Sequence, residues 1–297
     1  MKTHLDCIPC FLRQSLEAAR HVTNDHGVHE QIVRDVLRMT AELDLSLSPP
    51  LTGQVIHRRL RELTGEKDPY RVVKSRFNRL AMMMLPELIA DLKKTPDPLV
   101  TAAKFAIVAN VIDLGVIGAV SEAQVLSALR ESSRQSFCGD WSEFRDEVAV
   151  AKSILYLADN AGEIAIDRLL IQELGPERVT LAVRGSAVIN DATLADAREV
   201  GMHDLVEVIS NGSDAPGTVL DDCSDSFRER FRQADMIVAK GQGNFETLSE
   251  IDGNIFFLFK VKCPLIADHV GLPLGTHALL SAKQPIPGTM AVTSIGN

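Results

Sequence analysis

The sequence predicts an α/β protein, with a helical N-terminal region followed by a Rossmann-like, doubly wound α/β/α domain built on a mainly parallel sheet. Three observations carry that prediction. Over the first hundred residues, apolar positions recur at helical spacing. Near residue 150 the pattern changes to short apolar or β-branched runs, namely KSILYLADN, RVTLAVRG, HDLVEVIS, ADMIVAKG and NIFFLFKV. Helical patterns, IAIDRLLIQEL, TLADAREVG and FRERFRQ, lie between several of these runs. Runs with little strict alternation fit parallel strands covered on both faces. The expected division is 1–98 for the helical region and 99–297 for the α/β/α domain.

Taken in order, CFLRQSLEAARHV and HEQIVRDVLRMTAEL are amphipathic helices. SLSPPLTGQ breaks the pattern and offers Ser48 or Thr52 as a cap for VIHRRLRELTG, which ends on Gly65 as a C-cap. DPYRVVKSRFNRLAMMMLPELIADLKK resumes the helical period, and its three methionines read as core filling. DPLVTAAKFAIVANVIDLGV then opens the second region as a buried helix.

With 297 residues, the chain can bury one large core or two modest ones. A net charge of −9 gives no general attraction to a phosphate backbone, so nucleic acid is not an expected partner. The longest apolar run contains Asn110 and Asp113 and is too short and polar to span a bilayer. The N-terminal apolar patch is broken by Asp6, Pro9 and Arg13, unlike a signal-peptide core. Five cysteines do not make a disulfide framework. A soluble cytoplasmic protein with no membrane partner is expected.

Four predicted strands end in polar, glycine-containing loops. In ADNAGE, Asp159 and Asn160 are hard oxygen donors suited to Mg²⁺ or Mn²⁺, followed by Gly162 and Glu163. A helix cap accounts for one of the pair; a divalent ion accounts for both. In VRGSAVINDATLADA, Arg184 carries a planar fork of donors for a phosphate, and Asn190 and Asp191 stand before another helix. In VISNGSDAPGTVL, Ser210 and its small neighbours can hold an anionic oxygen, although turn chemistry selects the same residues. In IVAKGQGNFETLSE, Lys240 leaves a buried strand, Gly241 and Gly243 allow backbone amides to approach a ligand, and Asn244 and Glu246 open a helix. Upstream, Asn110 and Asp113 are three apart and share a helix face among apolar neighbours, so both need polar partners.

N110xxD113, D159-N-A-G-E163, R184-G…N190-D191 and K240-G-Q-G-N-F-E246, together with C7-I-P-C10, resemble in order the DUF89 family of ARMT1-like damage-control phosphatases. The N-terminal CxxC is similar to the archaeal and bacterial branch. The resemblance implies a divalent ion, Mn, Co, Ni or Mg, on Asp159, Asn160 and Asp191, with Lys240 on the phosphate. It also implies phosphatase activity on a small phosphorylated metabolite, a sugar phosphate or phosphopantetheine-like compound, in metabolite damage control. Asn110, Asp113, Glu163 and Glu246 are then candidates for orienting substrate or water, and Arg184 and the KGQGN amides for neutralising the phosphoryl group. Cys7 and Cys10, with His4 and Cys263, are a candidate second metal or redox site; two reduced, partly buried thiols are the plain alternative. The competing functions are a transferase on the same fold, which lacks GxGxxG and P-loop motifs, and a non-catalytic metal- or metabolite-binding regulator.

Overall fold

The computed structural model describes residues 1–111, 127, 131 and 137–283; Asp113 lies outside them. Helices fill the first hundred residues: α1 Cys7–Val22, α2 His26–Ala41, α3 Pro49–Thr64, α4 Arg71–Leu92 and α5 Pro98–Val108. Ser48 takes the N-cap position of α3, and Gly65 closes it at φ 68°, a left-handed value that costs glycine little. Of the three methionines in α4, Met84 is buried and Met82 half-buried in the core, whereas Met83 faces solvent.

Then follow β1 Phe137–Gly139, α6 Trp141–Val150, β2 Ile154–Leu157, α7 Glu163–Leu174, β3 Val179–Val183 and α8 Leu194–Glu199. The chain continues through β4 Glu207–Ser210, α9 Asp225–Gln233, β5 Met236–Lys240, α10 Gly241–Leu248, β6 Ile255–Lys260, α11 Pro264–Val270 and β7 His277–Ser281. The five strands expected from the sequence are β2 to β6. The sheet order is β1-β7-β6-β5-β2-β3-β4. Every neighbouring pair is parallel except β6 and β7. β1 and β7, absent from the sequence expectation, extend one edge of the sheet.

Side-chain alternation along the strands divides the apolar core between the two faces of the sheet. Ile154, Tyr156, Val238, Phe256 and Leu258 join α4, α5, α6 and α7 in one cluster. Leu155, Leu157, Ile237, Phe257 and Phe259 join α9, α10 and α11 in the other. Helices α1 to α3 hold a third, smaller cluster around Ile32, Ile56 and Leu60. The first strand begins only at Phe137, and the packing does not divide at residue 98, because α4 and α5 belong to the same core as the sheet. Among the described residues, no helix is long and apolar enough to cross a membrane.

Candidate active site

β2 lies between β3 and β5, so the chain proceeds outward on one side through β3 and β4 and on the other through β5 and β6. The reversal leaves a crevice at the carboxyl ends of β2 and β5, where ligands of open α/β sheets bind. Residues 158–162 follow β2 there, and Lys240–Gly241 end β5.

The loop after β2 is not a helix cap. Gly162 occupies the N-cap position of α7 and no side chain caps it. Helix α8 is likewise capped by Thr193 in a reciprocal box with Asp196, which leaves Asp191 without a capping task. Instead, the two loops pair through their backbones. The Ala161 amide donates to Asn190 O at 2.8 Å and the Ala192 amide to Asp159 O at 2.8 Å, forming a bridge between Asn160 and Asp191. Ile189 just before them has φ 42°, a strained value for a β-branched residue and the only positive φ of a non-glycine among the described residues.

The side chains meet in a buried polar ring. Asn110 Nδ2 donates to Asp159 Oδ2 at 2.8 Å and to Glu163 Oε2 at 2.8 Å. Asn160 Nδ2 donates to the same two oxygens at 2.7 and 3.2 Å. Arg184 Nε donates to Asp191 Oδ2 at 2.7 Å, and its other nitrogens reach Thr218 and Asn244. Asn244 in turn donates to Lys240 O, tying the first turn of α10 to β5. Gly241 (φ 79°) is required by close approach, since a Cβ there would lie 2.0 Å from Asp159 Oδ2.

Burial and repulsion govern the charges. Asp159 is pushed well above the usual carboxylate range, first by desolvation and then by Glu163 and Asp191, with Lys262 and Arg184 opposing. Burial also raises Asp191, against the attraction of Arg184. Desolvation carries Asp167 up to about 6 despite Lys240 and the Tyr156 hydroxyl. For Lys240, burial disfavours the charge, but Asp167 and Glu163 more than reverse this, so its pKa is raised.

Several expected residues have different surroundings from those the sequence suggested. Lys240 was expected on the phosphate, yet its fully buried ammonium donates to Glu163 Oε1 at 2.5 Å, Asp167 Oδ1 at 2.7 Å and Ala106 O at 2.9 Å. A phosphate oxygen would have to displace one of these acceptors. Arg184 is similarly turned onto Asp191, because a buried cation needs a nearby carboxylate. Gly243, in the first turn of α10, is required by the close approach of a neighbouring loop, as a Cβ there would meet Pro216 O at 2.1 Å. Ser210 ends β4, two strands from β2, and its hydroxyl accepts from the Gly212 amide. Glu246 accepts from Gln242 at 2.7 Å and lies near Cys7 and Cys263; burial raises it to about 7.

Cys7 opens α1, half-buried, and burial raises its thiol. Among the described residues, no three His, Cys, Asp or Glu side chains gather so as to hold a metal ion. The set expected at Asp159, Asn160 and Asp191 has two carboxylates and an amide.

Four contributors escaped the sequence reading. Asp167 stands one turn beyond Glu163 on α7, a spacing that could have flagged it. Tyr156 donates to it from β2 at 2.7 Å. Lys262, just after β6, places an exposed positive charge near Asp159, and its amide donates to Gln242 Oε1 at 3.1 Å. Asn78 of α4 accepts from the Gly162 amide at 2.7 Å across 84 residues, and no local signal announces it.

The chain is similar to known proteins over nearly its whole length. The family model for the damage-control phosphatase ARMT1-like domain matches residues 3–277. A damage-control phosphatase of Archaeoglobus fulgidus is 36% identical over 93% of this chain and 97% of its own. One of Pyrococcus horikoshii is 34% identical over 95% of this chain and 99% of its own. The crystal structure of a DUF89 family protein from Pyrococcus horikoshii superposes with a TM-score of 0.85 at 32% identity, covering 95% of this chain and 99% of that one. With its ADNAGE and KGQGNFE loops at the switch point of the same fold, the chain belongs to the ARMT1-like damage-control phosphatase (DUF89) family.

Proposed function

We propose that the protein is a metal-dependent phosphatase that hydrolyses small phosphorylated metabolites at the crevice between β2 and β5. One observation carries the metal dependence. Among the described residues, four carboxylates buried around the crevice, Asp159, Glu163, Asp167 and Asp191, face two buried cations, Lys240 and Arg184, while a third buried cation that also acts on Asp191, Lys74, is matched by its own buried partner Asp196. The imbalance equals the charge of one divalent ion, and buried charge without compensation is costly. The donors fit a hard cation: Asp159 and Asp191 supply carboxylate oxygens and Asn160 an amide oxygen. Mn, Co, Ni and Mg ions all suit such a set.

Asp159, Asn160 and Asp191 would hold the ion, which supplies Lewis acidity toward a phosphoryl oxygen and a more acidic bound water. The backbone pairing of the two loops fixes Asp159 and Asp191 relative to each other before any ligand arrives. Gly241 lets α10 begin directly against Asp159, which brings the start of that helix to the crevice. Burial of the carboxylates excludes water from their flanks, which strengthens each electrostatic contact with a phosphoryl group. The relatives' name as damage-control phosphatases supports the same role in metabolite damage control. Sugar phosphates or phosphopantetheine-like compounds are the substrate class that the family resemblance implies.

The test is phosphate release from p-nitrophenyl phosphate after EDTA treatment, and again after restoring Mn²⁺, Co²⁺, Ni²⁺ or Mg²⁺ singly. Hydrolysis that is abolished by EDTA and restored by one of these ions is expected. Equal rates in EDTA would remove the metal from the reading. No hydrolysis of this ester or of a panel of phosphorylated metabolites would favour the binding regulator.

A further inference from the structure

Glu163 and Lys240 belong to a longer chain of contacts than the family motifs span. The Tyr156 hydroxyl donates to Asp167 Oδ1 at 2.7 Å, and Lys240 Nζ donates to the same oxygen at 2.7 Å. Lys240 also donates to Glu163 Oε1 at 2.5 Å. The other oxygen of Glu163 accepts from the side-chain amides of both Asn110 and Asn160. All four members from Tyr156 to Glu163 are fully buried, and they come from β2, α7 and β5.

The direction of these bonds matters. A carboxylate only accepts, so each asparagine must turn its NH2 group toward Glu163 and its amide oxygen away from it. The Asn110 Oδ1 so exposed is buried and has no partner among the described residues. A buried polar oxygen of this kind is an acceptor kept for a donor or cation that arrives later. Asp159 Oδ2 accepts from the same two amides, at 2.8 and 2.7 Å, so Glu163 shares the orienting with it; were Glu163 free to swing, each amide would keep only that one bond to a residue that is itself a ligand of the ion.

We infer that Tyr156 and Asp167 are positioning residues for the hydrolysis, which act through Lys240 and Glu163 to hold Asn110 and Asn160 with their amide oxygens turned away from Glu163. The inference rests on the metal-dependent reading above and adds residues outside the ion's own donor set. Asp167 fixes the ammonium, the ammonium fixes one oxygen of Glu163, and the remaining oxygen orients both amides. Asn160 then presents oxygen to the ion, and Asn110 presents oxygen to a donor on the substrate or on bound water. The Tyr156 hydroxyl sets the position of the shared Asp167 oxygen.

The experiment compares full-length wild type, Asp167→Asn and Tyr156→Phe. Calorimetry gives the Mn²⁺ Kd, steady-state hydrolysis of p-nitrophenyl phosphate gives kcat and KM, and circular dichroism with thermal unfolding reports the fold. Partners of this kind typically contribute about 10–100-fold to metal affinity or turnover. For Asp167→Asn the expectation is about 10-fold weaker Mn²⁺ binding and about 10-fold lower kcat, with KM nearly unchanged. Tyr156→Phe should move both quantities the same way by roughly 3-fold, less than the usual range because the Lys240 contact survives. A purely structural role would lower the unfolding temperature and leave Kd and kcat of the folded protein at wild-type values, which overturns the inference. Should Asp167→Asn not fold, Tyr156→Phe decides on the same criteria. Failure of wild type itself to bind any of Mn²⁺, Co²⁺, Ni²⁺ and Mg²⁺ overturns the functional reading, and this inference with it; should another of these ions bind and Mn²⁺ not, the same comparison is made with that ion.

Discussion

Replacing Asp159 by Asn should make the metal-free protein more stable while it destroys activity. Asn110 Nδ2 bonds Asp159 Oδ2 and Glu163 Oε2 at 2.8 Å each, which places those two oxygens within about 5.5 Å of one another. At an effective dielectric near 20, two unit negative charges about 5 Å apart repel by roughly 3 kcal/mol. Asp191 adds repulsion, whereas Lys262 and Arg184 offset part of it. The sign follows from the direction of the Asp159 shift. Its folded pKa lies above the unfolded value, so the folded state loses stability as pH rises through the unfolded pKa and up to the folded one. The neutral amide of the Asp159→Asn variant escapes that loss. In EDTA at pH 8, the variant should therefore unfold at higher urea concentration than wild type, by an amount equivalent to about 2–3 kcal/mol. Below about pH 3, where the wild-type carboxyl is protonated in both states, the difference should vanish. Added Mn²⁺ should raise the midpoint of wild type only, and hydrolysis by the variant should fall roughly 1000-fold. A variant less stable than wild type in EDTA at pH 8 would refute the charge argument; metal-stimulated turnover near the wild-type rate would refute the assignment of Asp159 as a ligand.

Three other expectations follow from contacts around the crevice. Gly241→Ala meets both a left-handed φ of 79° and the Asp159 carboxylate. It should cost about 1–3 kcal/mol and lower kcat at least roughly 100-fold, measured by denaturant titration and p-nitrophenyl phosphate turnover, and wild-type values in both would contradict the close approach. Asn78→Ala leaves the buried Gly162 amide without its acceptor, so a loss of about 1–3 kcal/mol in urea unfolding is expected, accompanied by reduced turnover. Glu246→Gln tests a charge on the side of α10 facing Cys7 and Cys263. Burial raises the carboxyl to about 7 from its ordinary 4.5, so ionisation costs the folded state progressively between those two pH values. The variant should match wild type near pH 4 and exceed it by about 3 kcal/mol above pH 8. Equal stability at both ends of the pH range would show that the carboxyl is not held in an apolar setting.

The strands, and the gathering of the candidate site's residues at their ends, were legible because their signals are local. The runs from KSILYLADN to NIFFLFKV became β2 to β6, since continuous apolar stretches suit strands covered on both faces. The order of acids and amides at their ends placed Asp159, Asn160, Glu163, Asp191 and Lys240 together, as the hydrogen bonds and charge couplings show. The antiparallel β7 was not legible: HALLS is short, follows a glycine-rich turn, and acquires its direction only by pairing with Phe256 to Lys260. The inward turn of Lys240 was equally hidden. It depends on Asp167, which has the sequence surroundings of an ordinary helix residue, and on the carbonyl of Ala106, more than a hundred residues away in the chain. Ser210 carried turn chemistry that serves its own loop, and Gly243, inside α10, is needed for the close approach of Pro216.

Asn78 makes the amino-terminal helices part of the catalytic inheritance. Its amide holds the peptide that starts α7, while Met84 and Leu88 of the same helix fill the core beneath the sheet. A recombination that exchanged the first hundred residues between relatives would thus exchange a support of the ADNAGE loop along with a piece of the core. Cutting the chain at residue 98 would not liberate a smaller enzyme; it would remove the helix that packs against α5, α7 and α8. The unit that can be moved, shortened or fused without loss therefore begins no later than α4, whatever a boundary at residue 98 suggests.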